Sequence, residues 1–337
     1  LIKNHNKKFV EIFCYYNNDI IDDTTTRIKS YCKNWRQILH KSNEKVTQMI
    51  QDDEIDILVD LCGHSAGNRL VVFAEKPAPI QISYLGYPNT TGLSEIDYRI
   101  TDKIADPEGD ADSFYSEKLI RVPNCFLCYS GNDDFKINNS LPLHNNNYIT
   151  FGSFNNFKKI NKKVIEVWSS ILKTIPKSRL ILKNSGTDHS STIMLKKFHD
   201  QGVNRDNIII YNKMPNMLDH MNLYNSIDIA LDTFPYNGAT TTFEALWMGV
   251  PVITFSGTTH ASRVSSSILY NLNLEILIGK DVTDYKKIAM KISNCKKFLL
   301  EMRQGLRNQM KNSHLCDGKS FASEIEAKYY DIWNKNH

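Results

Sequence analysis

The sequence predicts an α/β protein made of two doubly wound domains in tandem. Three observations predict it. Short apolar, β-rich runs alternate with segments of helical spacing along the chain. The runs are continuous, as expected of parallel strands buried on both faces. A polar, turn-rich stretch at 130–147, containing Ser130-Gly-Asn-Asp-Asp and Asn145-Asn-Asn, reads as a linker between two similar halves. The expected lobes are 1–146 and 147–337. Doubly wound sheets bind ligand beyond the C-terminal ends of their strands, so functional residues are expected in the loops that follow strands.

The first half offers Phe9–Tyr15, Ile55–Leu61, Ile80–Leu85, Tyr98–Thr101 and Leu119–Val122 as strands. The second offers Tyr148–Phe154, Arg179–Lys183, Ile208–Tyr211, Ile229–Leu231 and Val252–Phe255. Lys162–Leu172 and Phe243–Met248 show helical spacing. Phe321–Trp333 reads as an amphipathic helix with aromatic anchors, expected to pack back across the lobes.

Length and composition narrow the function classes. A chain of 337 residues, 41% hydrophobic and 23% charged, fits a globular protein with an ample core. The net charge of +4 is spread out, with no basic block to suggest nucleic acid. No apolar run reaches the roughly 20 residues of a membrane span, and there is no signal-peptide pattern. Seven scattered cysteines fit free thiols in a reducing compartment, so a cytoplasmic location is expected, nucleocytoplasmic in a eukaryote. Cys125-Phe-Leu-Cys128 lacks the second pair of a zinc site. The chain starts at Leu1, which suggests a fragment.

The richest stretch runs over 232–254, from Asp232-Thr-Phe-Pro-Tyr-Asn-Gly through Ala-Thr-Thr-Thr-Phe-Glu to Val-Ile-Thr. It reads as strand end, glycine turn, helix, glycine stop and next strand. Gly238 and the hydroxyls of Thr240, Thr241 and Thr242 fall at a helix N-terminus, where free amides and the helix dipole favour phosphate. Glu244 lies one turn after Thr240 on the same face, placed to accept ribose hydroxyls. An N-capped helix of any α/β protein explains the same pattern, and both readings stand at this point.

Other candidates also follow strands. Gly86-Tyr-Pro-Asn-Thr-Thr-Gly92 is a tight loop whose amides and hydroxyls would line a cleft, or an ordinary β–α turn. His64, in Asp60-Leu-Cys-Gly-His-Ser-Ala-Gly67, is either an exposed structural histidine or a general base. In Phe151-Gly-Ser-Phe-Asn-Asn-Phe-Lys-Lys-Ile160, Asn156 and Lys159 open an expected helix and could reach a diphosphate. A lysine in a first helical turn opposes the dipole unless an anion is present. Thr258-Thr-His260-Ala-Ser-Arg263 adds hydroxyls and a histidine after another strand, and His220 sits at helical spacing after Pro215. There is no dinucleotide-binding Gly-x-Gly-x-x-Gly, no P-loop lysine and no Gly-x-Ser-x-Gly elbow. Asp110-Ala-Asp112 follows no strand and reads as solvated surface, so no metal is expected and phosphate charge falls to lysine and helix dipoles.

Taken together, Asp56-Ile-Leu-Val-Asp-Leu-Cys-Gly-His-Ser, Lys76-Pro-Ala-Pro-Ile-Gln-Ile-Ser-Tyr-Leu-Gly-Tyr-Pro-Asn-Thr-Thr-Gly, Asp97-Tyr-Arg-Ile-Thr-Asp, Tyr148-Ile-Thr-Phe-Gly-Ser-Phe-Asn-Asn, the 232–254 stretch and Gly257-Thr-Thr-His-Ala-Ser-Arg resemble the catalytic region of the SPINDLY / O-linked N-acetylglucosamine transferase family, glycosyltransferase family 41. The wording is nearer to plant SPINDLY and bacterial members than to the animal enzyme. The resemblance implies the GT-B fold, two Rossmann-like lobes facing a cleft. It implies inverting, metal-independent sugar transfer from a nucleotide sugar to Ser or Thr of acceptor proteins, with no cofactor. UDP-GlcNAc is the favoured donor and GDP-fucose the alternative. An inactive nucleotide- or protein-binding fragment and a metabolite-modifying transferase are the rival functions.

By position, the resemblance assigns Lys159 and Asn156 to the donor diphosphate, Thr240 and Thr241 to the phosphate-binding helix, and Glu244 to the ribose. It assigns His220 to the base face and Met214 to the base edge. Gly238, Thr259 and His260 belong to the donor-binding loops, and His64 with Gly86, Tyr87 and Pro88 to loops facing sugar and acceptor. Ala239 stands where the animal enzyme has a histidine. Family members carry an earlier strand, a histidine-bearing loop and upstream tetratricopeptide repeats, so the first lobe is expected to be truncated at its N-terminus and the repeats absent.

Overall fold

The computed structural model describes residues 1–184, 186–212 and 214–336. Two compact units emerge, Leu1–Cys128 with Asp317–His337, and Tyr129–Cys316.

In the first unit, β1 (Phe13–Tyr16) and β2 (Asn34–Gln37) pair as a parallel two-stranded sheet, with Cys14 opposite Trp35. β3 (Ile57–Asp60), β4 (Ile80–Ser83), β5 (Tyr98–Asp102) and β6 (Lys118–Val122) form a parallel four-stranded sheet in that order. The helix Asn43–Asp52 is capped by the Ser42 hydroxyl, which accepts from Lys45 N at 3.3 Å. Its Val46 and Ile50, four residues apart, face the core with Ile38, Leu58, Val72 and Phe73. The helix Gly318–Asn336 belongs to this unit: Phe321, Ala322, Ile325 and Ile332 are buried, and Glu326 Oε1 lies 2.8 Å from His5 Nδ1.

The second unit is built on six parallel strands, β7 (Thr150–Ser153), β8 (Arg179–Lys183), β9 (Ile208–Tyr211), β10 (Ile229–Leu231), β11 (Val252–Phe255) and β12 (Ile278–Gly279). Their spatial order is β9-β8-β7-β10-β11-β12. Counted from β7 this is 3-2-1-4-5-6, the doubly wound order, with its reversal between β7 and β10. The helix Lys162–Thr174, capped by Asn161, turns Val164, Trp168, Ile171 and Leu172 into the core. That stripe follows the 3.6-residue period, and Trp168 Nε1 finds a buried partner in Tyr285 OH at 3.2 Å.

Three expectations change. The first strand begins at Phe13, because Phe9 and Val10 donate to the Asn6 carbonyl at 2.9 and 3.0 Å and close a turn that leaves Phe9 exposed. The segment 130–147 packs on the second unit instead of linking two lobes. Tyr129 stacks on Phe243, with ring centroids 5.0 Å apart, Trp247 Nε1 donates to Asn132 O at 2.9 Å, and Leu141 and Leu143 are buried. The last helix groups with the first unit, so neither the 1–146 nor the 147–337 lobe has the bounds drawn from sequence. The Asp110-Ala-Asp112 turn keeps both carboxylates at the surface, as expected, and there Asp112 has partners. It caps its own turn through Gly109 N at 3.0 Å and pairs with both terminal nitrogens of Arg121, which holds its carboxyl below the usual range.

Candidate active site

Doubly wound sheets leave a crevice where the strand order reverses. Here that place lies beyond β7 and β10, and a pocket there is lined by Ser153, Phe154, Asn155, Tyr224, Asp232 and Thr241. The loops after β7, β10 and β11 are stitched together around it. Asn161 Nδ2 donates to Phe234 O at 2.7 Å, and Asn237 N donates to Ala261 O at 2.8 Å.

Asp232, at the end of β10, organises the centre. Its Oδ1 accepts from Gly238 N at 2.7 Å, Thr233 N at 2.9 Å and Asn155 Nδ2 at 3.3 Å, while Oδ2 accepts from Thr254 Oγ1 at 2.8 Å. Burial pushes its carboxyl pKa up, and the hydrogen bonds from Ser265, Gly238 and Thr254 oppose that shift. The bond to Gly238 N pins the turn that leads into the helix Thr240–Trp247. Gly238 is required there: a Cβ would lie 2.6 Å from Thr241 Oγ1 and 2.7 Å from Thr242 Oγ1. Gly238→Ala is expected to reduce stability by about 1–3 kcal/mol, the usual range for overpacking. A thermal unfolding curve that matches the parent would contradict this packing.

The helix Thr240–Trp247 begins at Ala239 without a side-chain cap, so its first amides are not covered by the residue before them. Thr240 is exposed and Thr241 half-buried, its Oγ1 donating to Asn155 Oδ1 at 3.1 Å, whereas Thr242 is buried against Ser265 Oγ at 2.8 Å. Lys159 reaches the same turn from the loop after β7. Its Nζ donates to Asn237 O at 2.7 Å and lies 3.8 Å from the centre of the Tyr236 ring. Burial lowers its pKa, and the Asp232 charge works the other way. Lys159 does not open an α-helix, as expected from sequence. It closes the single 3-10 turn Phe157–Lys159, three residues ahead of the helix Lys162–Thr174.

Glu244 is buried one turn further on. Its Oε2 accepts from Tyr224 OH at 3.1 Å and lies 2.9 Å from His220 Nε2, and His220 Nδ1 lies 2.9 Å from Lys183 Nζ. Both ring nitrogens of His220 are therefore engaged, and the rings of Phe154 and Tyr224 pack beside it, with centroids 5.9 and 5.6 Å away. Met214 is half-buried ahead of the helix Met217–Leu223 that carries His220. In the loop after β11, Thr259 N donates to Ser262 Oγ at 3.0 Å and His260 is buried.

In the first unit, the loops after β3 and β4 pack on one another. Asp60 accepts from Cys62 N at 3.0 Å and Gly63 N at 2.7 Å, which turns the chain so that exposed His64 meets Tyr87 edge-on, with ring centroids 5.2 Å apart. His64 Nε2 lies 2.7 Å from Thr91 O. A carbonyl only accepts, so Nε2 carries the hydrogen and Nδ1 presents the lone pair. Thr91 is itself held through its amide, 2.7 Å from Glu117 Oε1. Buried Arg99 donates to Tyr87 O at 2.7 Å and Asn89 O at 2.8 Å, fixing the segment that contains Gly86, Tyr87 and Pro88. A Cβ on Gly86 would lie 1.9 Å from Leu61 O, a backbone atom that cannot rotate aside. Gly86→Ala is expected to lower the urea midpoint of the first unit, by about 1–3 kcal/mol or more in stability. An unchanged midpoint would mean the two loops are not packed this way.

Within the second unit, Lys159, Gly238, Thr240 and Thr241 converge on one turn, and His220 with Glu244 on an adjoining network. Asn156 stands apart: it is exposed, and its Oδ1 caps Lys158 N at 3.0 Å. The neighbouring Asn155 is the asparagine that enters the pocket. Sequence reasoning also assigned no role to Asp232, Lys183 or Tyr224. Asp232 and Lys183 each sit at or just past a strand end, the signal that would have found them. Among the described residues, no three His, Cys, Asp or Glu side chains converge as a metal site, and no helix is long and apolar enough to cross a membrane.

Comparison with known proteins gives a consistent set of likenesses. The family model described as Glycosyl transferase family 41 matches residues 1–138 and 136–325. A protein named as a probable UDP-N-acetylglucosamine–peptide N-acetylglucosaminyltransferase SPINDLY from Eustoma exaltatum subsp. russellianum is 42% identical over 303 residues, covering 89% of this chain and 33% of that protein. The structure of a Thermobaculum terrenum O-GlcNAc transferase mutant superposes with a TM-score of 0.94 at 32% identity, covering 99% of this chain and 64% of that one. Sucrose-phosphate synthase from Thermosynechococcus elongatus shares only the fold, with a TM-score of 0.55 at 10% identity over 91% of this chain and 85% of that one. The chain spans about a third of the length of the curated relatives it matches.

Proposed function

The chain belongs to glycosyl transferase family 41, and from that premise we propose that it carries the catalytic region of an inverting protein O-glycosyltransferase that moves GlcNAc from UDP-GlcNAc to Ser or Thr hydroxyls without a metal ion. One observation supports this above the rest: Lys159 Nζ, 2.7 Å from Asn237 O, and the uncapped start of the helix Thr240–Trp247 border the same turn, at the reversal of strand order. A diphosphate seated there meets an ammonium, backbone amides and the positive end of a helix dipole. The His220 ring face then meets the base and Glu244 the ribose hydroxyls.

The reaction follows from charge. An acceptor hydroxyl attacks the anomeric carbon on the face opposite the nucleotide. The C–O bond to the diphosphate breaks through an oxocarbenium-like transition state, as in glycoside hydrolysis. Negative charge grows on the leaving phosphate, where Lys159 and the helix amides stabilise it. The acceptor proton goes to His64 Nδ1.

The test is transfer to a Ser/Thr peptide library from UDP-GlcNAc and, separately, from GDP-fucose. GlcNAc-modified peptide is the expected product. Fucosylated peptide would reassign the donor. Binding of UDP or GDP with no transfer from either donor would leave a nucleotide-binding fragment, and transfer to small acceptors alone would make it a metabolite-modifying enzyme.

A further inference from the structure

Lys183, the last residue of β8, has no part in the chemistry above, yet its side chain turns inward to a histidine. Its Nζ lies 2.9 Å from His220 Nδ1, and His220 Nε2 lies 2.9 Å from Glu244 Oε2, which also accepts from Tyr224 OH at 3.1 Å. His220 and Glu244 are 7% and 6% exposed, so water does little to relax this chain.

The hydrogens in it can be assigned from chemistry. An ammonium has three donors and no acceptor, so His220 Nδ1 accepts from Lys183 and carries no hydrogen. The imidazole hydrogen is then on Nε2 and is donated to the carboxylate. Tyr224 donates to the same oxygen, which leaves Oε1 for a ligand. Burial lowers the Lys183 pKa while the Glu244 charge supports its ammonium form. The groups that face His220 are Lys183 from β8, Glu244 from the helix Thr240–Trp247, and Phe154 and Tyr224 through their rings.

We propose that Lys183 is a positioning residue for nucleotide binding. Its ammonium fixes the His220 imidazole in the tautomer with hydrogen on Nε2, and through that ring orients the Glu244 carboxylate. The last step rests on the proposed function, in which the His220 face meets the base and Glu244 the ribose. Without Lys183, a largely buried Nδ1 loses its donor, and the ring is free to change tautomer or turn over. A lysine that merely packed against β9 would leave the histidine unaffected.

The experiment reads the ring directly. Nitrogen-15 NMR of the histidine side chains, with the His220 signal assigned by its loss in His220→Gln, is expected to show hydrogen on Nε2 in the parent protein. In Lys183→Met that pattern is expected to be lost, and Lys183→Arg to restore it. In parallel, UDP and GDP are titrated calorimetrically and donor kinetics measured. Lys183→Met is expected to raise the donor KM about tenfold, the weight of one charged hydrogen bond, with kcat within about twofold. A parent His220 with hydrogen on Nδ1, or an unchanged ring in Lys183→Met, overturns the proposal, and the first outcome needs no change at Lys183. A changed ring with an unchanged donor KM also overturns it, because the tautomer would not matter to binding. Failure of the parent protein to bind either UDP or GDP counts instead against the proposed function, and the ring measurement still decides the tautomer.

Discussion

Lys159→Ala is expected to lower kcat by about 10²–10³-fold while changing UDP affinity much less, because a preorganised donor aimed at developing charge acts mainly in the transition state. The surroundings of Lys159 support that asymmetry. Its Nζ rests on a carbonyl, Asn237 O, and over the Tyr236 ring. Neither group neutralises an ammonium, so its charge is kept for an incoming anion. The nearby carboxylate of Asp232 is occupied by Gly238 N, Thr233 N, Thr254 Oγ1 and Asn155 Nδ2 and does not pair with it directly. The check is a comparison of kcat with the donor KM in the variant. Turnover near that of the parent would remove Lys159 from the leaving-group role.

His64→Ala is expected to lower kcat by about 10²-fold or more, the lower range for general base catalysis. Thr91 O holds Nε2 at 2.7 Å, and the Thr91 backbone is held in turn by Glu117. Burial alone would raise the Glu117 pKa, but bonds from Thr91 and Thr90 outweigh it and keep the carboxylate ionised below its usual range. The ring is thus oriented from behind, with the Nδ1 lone pair left on an exposed ring. A bell-shaped pH–rate profile in the parent that loses one limb in His64→Ala would support the role. Equal rates across the pH range would send the acceptor proton elsewhere, for example through water to a phosphate oxygen.

Much of the second unit was legible because most of its strands are short apolar runs, such as Leu-Ile-Leu in β8 and Ile-Ile-Ile in β9, set between segments of helical spacing. Ile229–Leu231 and Val252–Phe255 match the expected bounds. β2, Asn-Trp-Arg-Gln, was not legible: it carries one apolar residue in four and owes its strand to pairing with β1. β12 has two residues, too few for any pattern. The 130–147 stretch looked like a linker because its composition is polar. What local pattern cannot reveal is that Asn132 and Asp133 meet Trp247 Nε1 and Lys311 Nζ at 2.9 and 2.6 Å, partners more than a hundred residues away.

The candidate site shows the same split. Gly238 and Thr241 could be read from the glycine turn and the helix that follows. Glu244 could be placed on the Thr240 face, but its bonds to His220 and Tyr224 depend on a helix and turn about twenty residues upstream. The choice between Asn155 and Asn156 is a matter of which side chain points inward at the end of β7, and only backbone direction decides it.

The central claim is that a departing diphosphate is neutralised by the Lys159 ammonium and the start of the helix at Thr240, with no divalent cation. The most direct measurement is the single-turnover rate of sugar transfer to peptide in excess EDTA, with and without added Mg²⁺ or Mn²⁺. The account predicts a rate in EDTA equal to that with either metal. A rate abolished by EDTA and restored by Mg²⁺ or Mn²⁺ would contradict it.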